Sequence, residues 1–205
     1  MAETSCFVIA TLEYLKMSKF PFIALSLLVV ASLHAASERQ WEKLEGCTLG
    51  DTKYADGDSF HVKHDGKDLI IRLYFVDAPE DTADQRYPAR IADQAKYFGI
   101  SSPEVLKVGD AAQSFTAKTL GAAPFTVFTC GQDAMGASKQ QRLYGIVETK
   151  QGNLAELLVK NGLARIYGNH VTMPDGMDGQ QYEGKLLKLE QEAKQKKVGG
   201  WAKAQ

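Results

Sequence analysis

The sequence predicts a mainly β member of the α+β class, a small barrel of short strands carrying three helices. Short apolar stretches of period two, bounded by turn residues, recur along the chain, and three longer stretches of helical period end at glycine or asparagine. Size agrees with this: 205 residues, 44% hydrophobic and 24% charged, suffice for one packed domain and a terminal extension.

The first segment reads differently from the rest. A basic start, Lys16-Met-Ser-Lys19, precedes an apolar run from Phe20 to Leu33 and then His34-Ala35-Ala36-Ser37, the pattern of a secretory signal peptide. The run is shorter than the roughly 20 residues of a membrane span, and the small residues suit cleavage near Ala35 or Ala36; a retained anchoring helix is the alternative. Residues 1–35 are therefore expected to be a leader, 36–47 a mature N-terminal segment and 48–205 the folded domain, secreted or periplasmic. Translation is expected to begin at Met17. Export leaves Cys47 and Cys130, an even pair in an oxidising compartment, which fits either a disulfide or two independent small hydrophobes.

Along the domain, Ser37 to Gly50 reads as a polar start. Ser59–Lys63 alternates, with Phe60 and Val62 on one face and His61 and Lys63 on the other, a half-buried strand. The Asp-Gly pair in His64-Asp-Gly-Lys67 predicts a tight hairpin into a nearly continuous apolar strand from Leu69 to Val76. Phe125–Cys130 and Leu143–Glu148 are further strands. Helices are predicted from Asp110, as N-cap, to Leu120 with Gly121 as the stop, from Asn153 to Asn161, and from Gln181 to Lys197 ahead of Gly199-Gly200. The lysines of the last read as a solvated face with Glu183, Glu190 and Glu192. Residues 81–108 form a polar insertion with a short helix from Ala89 to Phe98 ended by Gly99, either a lid or a passive loop.

A net charge of −1 argues against gripping nucleic acid through a large basic surface, so any polyanion must be held locally. Four acids, Asp56, Asp58, Asp77 and Glu80, and one guanidinium, Arg72, gather at the ends of two adjacent strands. Acids so placed repel one another unless a cation sits among them, and an arginine inside an apolar strand requires an anion. A divalent cation with a phosphodiester satisfies both. Asp58 shares parity with Phe60 and Val62 and points inward, where an unpaired carboxylate is costly; Asp77, ahead of Ala78-Pro79, is the natural second ligand. Asp56 reads better as a turn residue bonding its own backbone. Arg72 pairs with Asp77 or Glu80, or binds phosphate. Regular alternation would put Arg72 and Asp77 on opposite faces, so a bend or strand end is required between them. Glu80 either takes a proton from water, orients it, or is an exposed loop residue. His61, His64 and His170 read as surface residues. An EF-hand is excluded: with Gly57 at its glycine position the bidentate acid would fall on Lys63.

Asp56-Gly-Asp-Ser59, Ile71-Arg-Leu-Tyr-Phe-Val-Asp-Ala-Pro-Glu80, Gly109-Asp-Ala-Ala, Arg142, Asn153-Leu-Ala-Glu-Leu-Leu-Val-Lys-Asn-Gly-Leu-Ala164 and Ala193-Lys with Gly200-Trp201 together resemble the staphylococcal nuclease family from Thr48 to Trp201. The resemblance implies a five-stranded OB-fold barrel with three helices and a calcium-dependent phosphodiesterase acting on DNA or RNA; a monomer with no stable membrane association after signal cleavage is expected. It implies that Asp58, Asp77 and the Ala78 carbonyl hold Ca2+, that Arg72 and Arg142 clamp the scissile phosphate, and that Glu80 activates or orients water, leaving 3′-phosphate products. Ser59 stands where threonine is usual in the family, and Ala78 where the best-known member has threonine, a change that leaves the backbone carbonyl ligand in place. Lys139-Gln-Gln-Arg142 lacks the family's tyrosine before the second arginine; Lys139 and Tyr167 are candidate substrate contacts, Tyr167 as a stacking face or a partly buried aromatic. A non-catalytic OB-fold module that binds nucleic acid or protein is the alternative, which the joint presence of these five residues disfavours. A purely structural calcium site would leave the two arginines without a purpose.

Overall fold

The structure, a computed structural model, describes residues 40–51, 55–82, 88–135 and 141–203. In chain order the elements are β1 (Glu42–Leu49), β2 (Ser59–His64), β3 (Lys67–Leu73), β4 (Val76–Asp77), α1 (Pro88–Phe98), α2 (Ser102–Gly121), β5 (Phe125–Asp133), β6 (Arg142–Thr149), β7 (Gly152–Asn153), α3 (Leu154–Lys160), β8 (Arg165–Ile166) and α4 (Gly179–Lys196), then a 3-10 segment, Gly199–Lys203. The expected leader, with Cys6 and Met17, lies outside the described residues. Among those described, no helix is long and apolar enough to cross a membrane.

The strands β3-β2-β1-β5-β6 lie side by side, and β6 returns to pair with β3 in parallel, closing a five-stranded barrel. Closure removes the free edges that an open sheet of this size would expose. Phe60, Val62, Ile71, Val127 and Ile146 are buried and continue into one core with Leu154 and Leu158 of α3 and Tyr182 and Leu186 of α4. The fold class is as expected from the sequence, with four helices among the described residues instead of three because the insertion folds into α1. The hairpin at Asp65-Gly66 has positive φ at both residues, 47° and 73°, as an Asp-Gly tight turn requires.

The polar start proves to contain a strand, β1, so the barrel begins at Glu42, ahead of Thr48. Its alternation is broken by a bulge: Gly46 has φ 70°, and the register with β5 shifts between Leu44 and Cys47. The two inward residues are thus Leu44 and Cys47, a spacing that hides the period of two.

The β1–β5 register also decides the cysteines. Cys47 sits opposite Phe125, and five further residues of β5 put Cys130 roughly 16 Å along the strand at about 3.3 Å per residue, too far for a bridge. Both are free thiols. The Cys47 thiol donates to the Leu44 carbonyl at 3.3 Å, and Cys130 Sγ lies 3.2 Å from the Tyr74 hydroxyl.

Helix α2 starts at Ser102, well before Asp110. Its start signal is Ser101 followed by Pro103 and Glu104, whose carboxylate accepts the Ser101 backbone N–H at 3.0 Å, one half of a capping box. Helix α3 forms as expected: Asn153 Oδ1 accepts from the amides of Ala155 and Glu156 at 3.0 and 3.3 Å. Helix α4 begins two residues early because Asp178 caps the Gln180 amide at 2.9 Å.

Candidate active site

Strand β3 ends at Leu73, and the chain turns through Tyr74 and Phe75 before resuming as β4. Phe75 has φ 68°, a conformation that is costly for a bulky residue and persists only when its surroundings enforce it. They do. Its ring is fully buried, 4.8 Å from that of Tyr182 and 5.1 Å from that of His170. Its N–H donates to the Asn169 carbonyl at 3.1 Å, and its carbonyl accepts from Tyr167 N–H at 2.9 Å. This is the bend that the sequence required: it resets the alternation, so Arg72 and Asp77 meet.

Arg72 Nη2 bridges two acids, 2.9 Å from Asp58 Oδ2 and 2.8 Å from Asp77 Oδ1. Asp58 Oδ2 also accepts the Ala78 amide at 3.0 Å, while its Oδ1 is buried with no hydrogen-bond partner among the described residues. Asp77 is far better satisfied. Oδ1 accepts from Arg72 and, at 2.6 Å, from Arg90; Oδ2 accepts from Arg165 Nε at 2.8 Å and from Gln94 Nε2 at 3.0 Å. Glu80 Oε1 lies 2.8 Å from Arg90 Nε.

The electrostatic consequence is a division of labour between the two aspartates. Burial drives the Asp58 carboxyl well above the usual aspartate range; Arg72 opposes this, and the nearby Asp56 and Asp77 reinforce it. For Asp77 burial pulls the same way, but the guanidinium groups of Arg90, Arg72 and Arg165 and the Gln94 hydrogen bond prevail and hold it below that range. Glu80 is raised by burial, against Arg90. Arg72 resists the effect of burial because Asp58, Asp56 and Asp77 face it, and is held above the ordinary arginine range.

Two helices hold this arrangement. On α1, Arg90 and Gln94 stand one turn apart; the fully buried Gln94 donates to Asp77 and, at 3.2 Å, to the Ala78 carbonyl, while accepting the Glu80 amide at 3.1 Å. Helix α2 presents small residues to the site turns. A Cβ at Gly109 would stand 2.2 Å from the Glu80 carbonyl, and one at Gly57 would stand 2.7 Å from the Cβ atoms of Ala112 and Ala78. Thr116 donates to the Gly57 carbonyl at 2.7 Å. Only glycine at these two points allows helix, Asp58 turn and Glu80 turn to approach so closely.

Asp56 is the turn residue expected, its Oδ1 accepting from the amides of Asp58 and Ser59 at 3.1 and 2.6 Å. Arg142 pairs with Ile70, in register two residues from the Arg72–Tyr144 pair, so it shares a sheet face with Arg72 about 7 Å along the strand. Its guanidinium does not join the acids; it donates to the Met135 carbonyl at 2.5 Å, and its Nε is buried without a partner among the described residues. Tyr167 is 60% exposed, with the Arg165 guanidinium 4.4 Å above its ring, so it is a surface face rather than a buried aromatic. Lys139 lies outside the described residues. Arg72, Asp77, Arg90, Arg165 and Tyr167 line a cavity of about 440 Å³.

Sequence reasoning missed Arg90, Gln94 and Arg165. Arg165 carries the signal that singled out Arg72, a guanidinium among apolar neighbours, Leu163-Ala-Arg-Ile166. Its partner is visible only in the β4–β8 pairing, which sets it opposite Asp77.

A family model of staphylococcal nuclease homologues matches residues 70–203, more than half of the chain. The chain belongs to the staphylococcal nuclease family. The match includes Arg72, Asp77, Glu80 and Arg142 and starts after Asp58. No curated protein sequence matches this nuclease homologue. Membership carries nuclease-type function on a nucleic acid substrate at the level of the family, which is generally calcium-dependent.

Whether this nuclease homologue's residues suit calcium is a question of donor chemistry. Calcium takes oxygen ligands, including carboxylates and backbone carbonyls. Asp58 Oδ1, a buried carboxylate oxygen with no hydrogen-bond partner among the described residues, fits a hard cation. Asp77 and the Ala78 carbonyl are joined to the same cluster through Gln94. Among the described residues no group of three or more His, Cys, Asp or Glu side chains is placed to hold a metal, so a cation here would rest on two carboxylates and the carbonyl.

Proposed function

We propose that the chain is an exported, calcium-dependent nuclease that hydrolyses phosphodiester bonds of DNA or RNA to 3′-phosphate products. The observation that carries this reading is the single arginine bridging two buried aspartates at 2.9 and 2.8 Å on the wall of a cavity of nucleotide size, with a raised glutamate beside it. Asp58, Asp77 and the Ala78 carbonyl would hold calcium, which supplies Lewis acidity at the phosphoryl oxygens when bound.

The remaining chemistry belongs to the chain. Arg72, always charged, cannot give up a proton; it stabilises the charge that builds on the phosphoryl oxygens. Glu80, with its acidity weakened by burial, is the better proton acceptor for it. Water oxygen bonds to phosphorus, its proton passes to Glu80, the bond to the 5′ oxygen breaks, and that oxygen takes a proton from solvent entering the open cavity. Arg142, on the same sheet face, would reach the phosphate on leaving the Met135 carbonyl. Tyr167 offers a ring for a base.

The test is incubation of the purified protein with single-stranded DNA and with RNA, with calcium or chelator, followed by end-group analysis. Calcium-dependent fragments ending in 3′-phosphate are expected; binding without cleavage would leave a non-catalytic OB-fold module. Export rests on the pattern from Lys16 to Ser37, and N-terminal sequencing of the mature protein, expected to start near Ala36, tests it.

A further inference from the structure

We propose that Arg90, carried by the insertion helix α1, binds a substrate phosphate neighbouring the one held at Arg72; the inference rests on the nuclease reading above. Among the described residues three arginines line the cavity, but they are not equally available. The side chains of Arg72 and Arg165 are 14% and 10% exposed, whereas that of Arg90 is 35% exposed. Arg165 is in addition stacked on Tyr167. Arg142 does not line this cavity and is turned to the Met135 carbonyl.

The bonding of Arg90 is one-sided. Nε is engaged by Glu80 and Nη2 by Asp77, which leaves the Nη1 end of a five-donor group without a partner among the described residues. Two carboxylates thus fix the plane of the guanidinium, and the residue lines the cavity. A guanidinium so oriented loses little freedom when it takes a phosphate oxygen. The helix beneath it is equally fixed, because Gln94 ties it to Asp77, Ala78 and Glu80. Helix α1 is therefore a wall of the substrate site, neither a lid that must close nor a passive loop.

A purely structural Arg90 and a phosphate-binding Arg90 differ in their response to salt. Each phosphate contact on a single strand contributes about 0.7 to the slope of log affinity against log salt. Steady-state cleavage of single-stranded DNA with calcium, from about 50 to 200 mM salt, is compared for wild type, Arg90→Gln and Arg90→Lys. Arg90→Gln is expected to lower kcat/KM about tenfold at the low end, mostly through KM. It should also flatten the slope by about 0.7, so that the wild-type advantage shrinks about 2.6-fold across the range. Arg90→Lys should keep the slope. Equal slopes for wild type and Arg90→Gln, or a loss confined to kcat, would overturn the inference and leave the nuclease reading standing. A wild-type protein without cleavage would bring down both. If Arg90→Gln does not fold, Arg90→Met, which keeps the aliphatic stem and removes the charge, is read by the same rule: a slope flattened by about 0.7 supports the contact and an unchanged slope overturns it.

Discussion

Replacing Asp58 and Asp77 by asparagine, one at a time, should move stability in opposite directions although both carboxylates share Arg72. Asp58→Asn keeps an oxygen for Arg72 and the Ala78 amide and removes a buried charge whose second oxygen is unsatisfied. An unsatisfied buried polar group costs about 1–3 kcal/mol, and the new amide N–H retains part of that cost, so a gain of about 1 kcal/mol is expected. Asp77→Asn withdraws the carboxylate that three guanidinium groups share and turns an N–H toward donors. Removing one partner of a buried ion pair costs about 3–5 kcal/mol. In a domain of this size each kcal/mol moves Tm by about 2–4 °C, so Asp58→Asn should raise it by about 2–4 °C and Asp77→Asn lower it by roughly 6–20 °C.

The assay is thermal unfolding followed by circular dichroism at pH 7 in chelator. Its pH dependence has a worked sign. Asp77 is depressed in the fold, so its stabilisation is present above the unfolded aspartate value of about 3.9 and is lost as pH falls through the lower folded value. Asp58 is raised, so its ionisation costs nothing below about 3.9, and the cost grows until pH passes its folded value. The advantage of Asp58→Asn should therefore vanish near pH 4. If Asp58→Asn lowers Tm as far as Asp77→Asn does, Asp58 is an ordinary ion-pair partner and the reasoning about its orphaned oxygen fails.

Other expectations follow from single contacts. Calcium at 100 times its Kd should stabilise the wild type by about 2.7 kcal/mol and leave Asp58→Asn unshifted in the same melts. Arg72→Lys, which loses the bridge to two acids, should depress turnover about a hundredfold or more, measured as initial rates on single-stranded DNA. Gly109→Ala drives a methyl into the Glu80 carbonyl; a loss of about 1–3 kcal/mol and slower cleavage should appear together in melts and rates. Asn153→Ala removes the cap of α3 and the acceptor of the Tyr182 hydroxyl, costing about 1–2 kcal/mol with kcat unchanged. In native protein the half-buried Cys130 should alkylate before Cys47, whose thiol is buried and raised by burial; peptide mapping after timed alkylation reads the order.

Local signals made much of this molecule legible in advance. Alternation marked β2, a continuous apolar run marked β3, the Asp-Gly pair marked their hairpin, and Asn153 and Asn161 bracketed α3, because each of these depends on neighbours in sequence. Asp58, Arg72, Asp77 and Glu80 were visible for a related reason: charge inside an apolar strand or beside a proline is locally anomalous, and that anomaly is in the chain itself. β1 escaped because one bulge at Gly46 breaks its period, and α2 was entered late because its cap at Ser101 lies within a stretch that looks like loop.

What no reading along the chain could supply is who partners whom. The positive φ of Phe75, enforced by Tyr182 and Asn169, brings Arg72 to Asp77; strand β8 delivers Arg165, and α1 delivers Arg90 and Gln94. Partners distant in sequence meet only when the barrel closes, and the balance of burial against those partners leaves Asp58 strained and Asp77 secure. Residue types and their spacing determined which chemistry is present, whereas solvation and neighbouring charge, properties of the folded chain alone, assigned each acid its state.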